Sequence, residues 1–175
     1  MISIREAKPV DAAGIARVHV ESWRNAYASL IPQEFLDGLT IADRERSWKA
    51  WLSSSTGGTH IWVAASEEEG VAGFASGGVE RDQDSFFKGE IYALYLLPAY
   101  QRRGIGTRLV QTVARQLRWE HLDSMIIWVL EENPARKFYA ALGGKHLEDH
   151  RKAVTIGGAV LYETAYGWTD LSVFA

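Results

Sequence analysis

The run Gln101-Arg102-Arg103-Gly104-Ile105-Gly106-Thr107 combines residue types and spacing that suit anion binding. It lies between an apolar segment over residues 90–97, stopped by Pro98, and a segment over residues 105–118 in which Leu109, Val113 and Leu117 recur on one helical face. Strand, glycine turn and helix in that order place the first helical N–H groups, which have no intrahelical partner, at the positive end of the helix dipole. A phosphate is stabilised there without a side-chain charge, and glycines let it approach the backbone. The run is not a Walker loop, because no G-x-x-x-x-G-K-[ST] occurs. It is not a dinucleotide fingerprint either, because Leu109 occupies the place of a third glycine.

Other residues could do chemistry around this loop. Glu90 opens the apolar segment and reads either as an exposed strand-end carboxylate or, with regular alternation that puts Glu90, Tyr92, Leu94 and Leu96 on one face, as a carboxylate facing a cleft. Tyr139 shares a helical stripe with Ala135, Phe138 and Leu142, which by spacing alone is a packed face. Asn133 before Pro134 is a competent helix N-cap. Trp23 and Tyr27, four apart, form either core or an aromatic wall. Asp82 and Asp84 read as a solvated turn, with attraction of a cationic amine as the alternative. His146 and His150 fall in an expected strand, where a spacing of four does not make a helical zinc pair, so no metal is expected. The nearest approach to a serine-hydrolase elbow, Gly73-Phe74-Ala75-Ser76-Gly77, has its serine one place late.

The elements that must position these groups follow from periodicity. Residues 2–7 form a strand, and Pro9 with Asp11 opens a helix carrying Ile15, Val18, His19, Ser22 and Trp23 on one side. A second helical region spans residues 32–52, with a break at residues 38–40, and residues 53–59 are a loop. Residues 60–65 and 71–79 are strands of a hairpin, followed by the strand at 90–97 and the helix at 105–118. Residues 124–130 are apolar enough to be a strand covered on both faces, 134–142 a short helix, and 145–154 and 160–168 a closing pair joined through Gly157-Gly158. The order β-αα-βββ-α-β-α-ββ predicts a mixed α/β fold, a central mixed sheet of six to seven strands flanked by helices.

With these residues in place the sequence resembles the GNAT superfamily of acetyl-CoA-dependent N-acetyltransferases, whose Q/R-x-x-G-x-G/A signature is matched by Gln101, Gly104 and Gly106. The resemblance covers most of the chain and extends to the element order and the Phe138-Tyr139 helix. It implies that the backbone amides of Arg102, Arg103, Gly104, Ile105, Gly106 and Thr107 bind the pyrophosphate of acetyl-CoA, with Gln101 in the same cofactor site, and that the strand around Leu94, Tyr95 and Leu96 hydrogen-bonds the pantetheine arm and thioester. It further implies that Tyr139 protonates the leaving thiolate and that Glu90 deprotonates the acceptor amine, unless the amine arrives neutral. Asn133 would contact the pantetheine arm, although the chain is one residue short of the usual N-x-x-A-x-x-F/L-Y spacing. Trp23 and Tyr27 would lie on the acceptor side. The implied function is acetyl transfer to a primary amine, of a small molecule or a protein, by direct attack in a ternary complex. The alternative is a non-catalytic CoA-binding sensor or interaction module on the same fold.

Bulk composition agrees with a soluble globular protein. The 175 residues suit one domain over 1–175, and 47% apolar with 23% charged residues is ordinary for a globular chain. Nineteen basic against 22 acidic residues give a net charge of −3, so nucleic acid is not an expected partner. The absence of cysteine excludes disulfides, thiolate metal sites and a cysteine nucleophile, and fits a reducing compartment. No stretch approaches the roughly 18 apolar residues of a membrane span, and the expected location is cytoplasmic. The seven tryptophans fit core packing, an acceptor pocket or a homodimer interface.

Overall fold

A computed structural model describes residues 1–54, 57–84 and 86–175. The described elements are β1 (Ser3–Glu6), α1 (Ala12–Ala26), α2 (Gln33–Gly38), α3 (Ile41–Ser53), β2 (Thr59–Ser66), β3 (Gly70–Val79), β4 (Gly89–Leu96), α4 (Ile105–Trp119), β5 (Met125–Leu130), α5 (Arg136–Ala141), β6 (Lys145–Ile156) and β7 (Ala159–Trp168). The expected order is present, with shifted ends. Residues 55 and 56 of the expected loop at 53–59 lie outside the described residues, while α3 runs on to Ser53.

Local chemistry explains the element starts. Asp11 is buried, accepts the Lys8 backbone N–H at 2.7 Å and is gripped by both terminal nitrogens of Arg5, closing the turn that leads into α1. The Thr40 hydroxyl accepts the Asp43 N–H at 3.1 Å and caps α3. Helix α4 holds together through an apolar stripe of Ile105, Leu109, Val110, Val113, Ala114 and Leu117, all buried.

The strands form one seven-stranded sheet in the order β1-β2-β3-β4-β5-β7-β6. Every pairing is antiparallel except β4 with β5. Helices cover both faces: Phe74 packs into the layer of α1 and α3 with Ile15, Val18 and Trp48, while its neighbour Ala75 faces the layer of α4 with Leu109 and Val113. No described helix is long and apolar enough to cross a membrane.

One expectation about β4 is corrected. Across from β3, Ser76 pairs with Ala93 but Gly77 pairs with Ile91, so Tyr92 is an extra residue in β4. This bulge shifts the alternation. Ile91, Leu94 and Leu96 all meet the α4 layer, whereas Ala93 and Tyr95 meet the α1 layer. Glu90, one residue from Ile91, therefore faces the α1 side with Tyr95 and does not share the face of Leu94 and Leu96.

Candidate active site

Strands β4 and β5 pair over three residues, Gly89 with Met125, Glu90 with Ile126 and Ile91 with Ile127, and then part. Past that point each has a backbone edge with no strand beside it. The Leu97 N–H is committed to Ala72 O on β3 at 2.9 Å. By the two-residue alternation of an antiparallel ladder, Tyr95 and Ala93 also point at β3, and the Leu94 and Leu96 N–H groups point into the opening. The expectation of a donor in the 94–96 stretch thus resolves to the neighbours of Tyr95. The Leu96 carbonyl on the same edge accepts the Gln101 side-chain amide at 3.1 Å, so Gln101 ties the glycine loop to the strand end.

The loop itself offers free donors. Among the described residues, none of the backbone N–H groups from Arg102 to Thr107 donates to a protein acceptor, and the first turn of α4 is anchored beneath by buried Ile105. Gly104 stands just before α4 at φ +75°, a left-handed conformation, and a Cβ there would meet nothing within 4 Å. Arg102 is also left-handed, at φ +60°. Consecutive turns of this kind point several N–H groups at one place, as an anion requires. Arg103 reaches over the Tyr100 ring, 5.6 Å from its centre. Gly106 has a different constraint: a Cβ would lie 3.2 Å from Cζ of Phe138, so that ring would have to shift by a few tenths of an ångström to admit one.

At the open end of the slot three tyrosines converge. Tyr139, on α5, is buried beside Phe138 and Tyr166, and burial, reinforced by nearby Tyr27, raises its hydroxyl above the ordinary phenol range. It therefore stays protonated at neutral pH. Tyr27, following α1, lies near Tyr95 of β4 and the Asn133 side chain just past β5, both of which oppose the effect of burial on its hydroxyl. Burial raises the hydroxyls of Tyr27 and Tyr95 as well. Trp23 meets the Tyr27 ring edge-on at 5.0 Å. Asn133 Oδ1 also accepts the Ala135 N–H at 2.9 Å, which braces the turn before α5, while the N-cap of α5 itself is Ala135, with no side-chain cap.

Glu90 departs from the expected free carboxylate. Its side chain is 3% exposed, and Arg81 takes both oxygens: Nη2 donates to Oε1 at 2.6 Å, while Nε and the backbone N–H donate to Oε2 at 3.2 and 3.1 Å. Three donors thus engage both oxygens and occupy three of the carboxylate's roughly four lone-pair positions. The Arg81 guanidinium also lies over the Tyr92 ring, 4.1 Å from its centre.

Sequence reasoning missed two residues. Arg81 sits in a polar connection with no pattern to mark it. Glu163 had a signal, since it falls in step with Leu161 and Ala165, the inward positions of β7. No cluster of three or more metal-ligating side chains occurs among the described residues. His146 bonds Thr164 at 2.7 Å and His150 bonds Asp84 at 2.9 Å.

Comparison with known proteins places this geometry in a family. The profile of the acetyltransferase (GNAT) family matches residues 20–143. The chain is 40% identical over 172 residues to the uncharacterized N-acetyltransferase YuaI of Bacillus subtilis, covering 98% of this chain and 95% of that protein. It is 32% identical over 145 residues to the probable N-acetyltransferase Rv2775 of Mycobacterium tuberculosis, covering 79% and 76%. Its fold superposes with a TM-score of 0.71 on yncA of Salmonella typhimurium, a putative acetyltransferase solved with acetyl-CoA, at 22% identity and with 98% and 94% of the two chains covered. The chain belongs to the GNAT acetyltransferase family of enzymes.

Proposed function

We propose that this enzyme transfers an acetyl group from acetyl-CoA to a primary amine by direct attack within a ternary complex. The observation that carries the reading is the continuity of free donors: the N–H groups of residues 102–107 and those of Leu94 and Leu96 lie along one opening between β4 and β5. The first set suits a pyrophosphate, the second the amide-rich arm and thioester carbonyl of acetyl-CoA.

In this reading Arg102 to Thr107 hold the pyrophosphate, Gln101 fixes the loop to Leu96, and Tyr95 backs the strand that receives the arm. A backbone N–H of Leu94 or Leu96 stabilises the oxyanion that forms when nitrogen adds to the thioester. Tyr139, kept protonated by burial, donates its proton to the departing thiolate. Asn133 and Tyr27 border the arm where the strands have separated, and Trp23 and Tyr27 wall the acceptor side. No step needs a metal, and the enzyme works in the cytoplasm.

Isothermal titration with acetyl-CoA tests the donor site. Micromolar 1:1 binding, followed by release of free thiol with an amine from a screened set, is the expected result. Absence of binding overturns the reading.

A further inference from the structure

We propose that Glu163 receives the ammonium group of the acceptor and takes its proton, a role that rests on the acetyl-transfer reading above. Glu163 lies on β7 opposite Leu130, the last residue of β5, and therefore at the rim of the opening between β4 and β5. It shares its face with Leu161 and Ala165. Leu161 packs in the cluster that contains Tyr27, and Ala165 packs with Ile126, the strand partner of Glu90. Glu163 thus stands on the α1 side of the sheet, close enough to Tyr27 to raise the energy of its phenolate, while Tyr27 in turn reaches Tyr95 and lies near Tyr139.

The charges around Glu163 are already paired with one another. Lys152, its register partner on β6, donates to Asp82 at 2.5 Å and lies 4.0 Å above the Trp128 ring. Arg81 is committed to Glu90. Charged and titratable groups near Glu163 include Lys152, Asp82, Arg81, Glu90 and Tyr27, with the His150–Asp84 pair further along the same face beside Trp128, and among the described residues none of them makes a hydrogen bond or close ion pair with Glu163. A half-buried carboxylate left between two closed ion pairs is an uncompensated charge, which folding alone disfavours. The missing partner is a cation, and the α1 face beside the slot is where an acceptor amine must stand. Burial raises the carboxyl above its ordinary range; Lys152 and Arg81 oppose this and Asp82 and Glu90 add to it, which brings it closer to what a base for an ammonium ion requires.

The step balances as follows. The acceptor R–NH₃⁺ gives one proton to the Glu163 carboxylate and becomes R–NH₂. The nitrogen lone pair forms the C–N bond to the thioester carbon, and the C–S bond breaks with its electron pair going to sulfur. Tyr139 gives the thiolate its proton, the second proton leaving nitrogen restores Tyr139, and Glu163 releases the first proton to solvent. The products are the acetamide, free CoA thiol and one proton.

The test compares wild type with Glu163→Gln, using acetyl-CoA and an acceptor chosen by thiol release from a set of amino acids, polyamines, arylalkylamines and lysine peptides. The expected loss in kcat/KM at pH 7 is roughly 10²–10⁴-fold. Affinity for acetyl-CoA stays within twofold, and the lost rate returns as rising pH deprotonates the amine in solution. A variant that keeps full rate and the acidic limb of the wild-type profile overturns the proposal. An acceptor-free arm follows the Glu163 side-chain carboxyl by ¹³C NMR in the unliganded protein, with Glu163→Gln assigning the resonance. Titration above the ordinary glutamate range is expected, and ordinary titration overturns the role. Thermal melts show whether the variant folds: because the raised carboxyl destabilises the fold once ionised, Glu163→Gln should melt higher than wild type at pH 7 and equally at pH 3. A wild type that consumes no amine in the set counts against acetyl transfer itself, while the NMR arm still judges Glu163.

Discussion

The Arg81 guanidinium closes on the Glu90 carboxylate through two side-chain bonds of 2.6 and 3.2 Å, with Arg81 56% and Glu90 3% exposed. The asymmetry predicts which partner matters more. Removing Arg81 leaves a buried carboxylate with one backbone donor, whereas removing the Glu90 charge leaves a guanidinium that can turn to water. Arg81→Ala should destabilise by about 3 kcal/mol and Glu90→Gln by clearly less. Urea unfolding of both variants checks this, and equal losses would contradict it.

Tyr139→Phe should lower the acetyl-transfer rate by roughly 10²-fold or more while leaving acetyl-CoA affinity within twofold. The phenyl ring keeps the contacts with Phe138 and Tyr166, so only the proton donor is lost. Steady-state kinetics beside calorimetric titration separates the two effects, and a full-rate variant would refute the acid role.

At Gly104, alanine and glutamate distinguish backbone strain from anion binding. Both leave glycine's freedom at φ +75°, at a cost of about 1 kcal/mol each. The Cβ of alanine enters open space, so Gly104→Ala should bind acetyl-CoA only a few-fold less tightly. Gly104→Glu sets a carboxylate among the N–H groups proposed to hold the pyrophosphate, and on that reading binding should become undetectable in the same titration.

His19 predicts acid sensitivity. Its Nδ1 accepts the Trp48 indole N–H at 3.2 Å and its ring stacks on Tyr95 at 5.5 Å, so it is held neutral. Burial, with a smaller push from Arg44, takes its pKa from 6.5 down to about 4. A pKa depressed by folding contributes stability that is complete above 6.5 and is lost as pH falls towards 4. The loss over that window should be roughly 2–3 kcal/mol. Denaturant unfolding between pH 7 and 4 measures it, and His19→Gln should flatten that part of the curve.

The order of elements and the glycine turn before α4 were legible in the chain because both depend on neighbours in sequence. Periodicity of 3.6 marks α4 through Leu109, Val113 and Leu117, and the glycines at 104 and 106 mark the turn before it. Tyr139 and Asn133 were legible as residues of the α5 segment. Their meeting with Tyr27 and Tyr95 was not, since it depends on how α1 and α5 dock on opposite faces of a parted strand pair.

What the sequence determined by itself is the set of local preferences: which segments are helix or strand, where the unpartnered N–H groups of a helix start fall, and that no cysteine chemistry is available. The tertiary structure alone decided the direction and pairing of charges. The bulge at Tyr92 turned Glu90 away from the face of Leu94, and a loop residue, Arg81, then claimed its carboxylate. Lys152 closed on Asp82 across 70 residues of chain and left Glu163 without an ion-pair partner among the described residues. Strand register and ion pairing are long-range choices among competing partners, and only the folded sheet places those partners close enough for one to win.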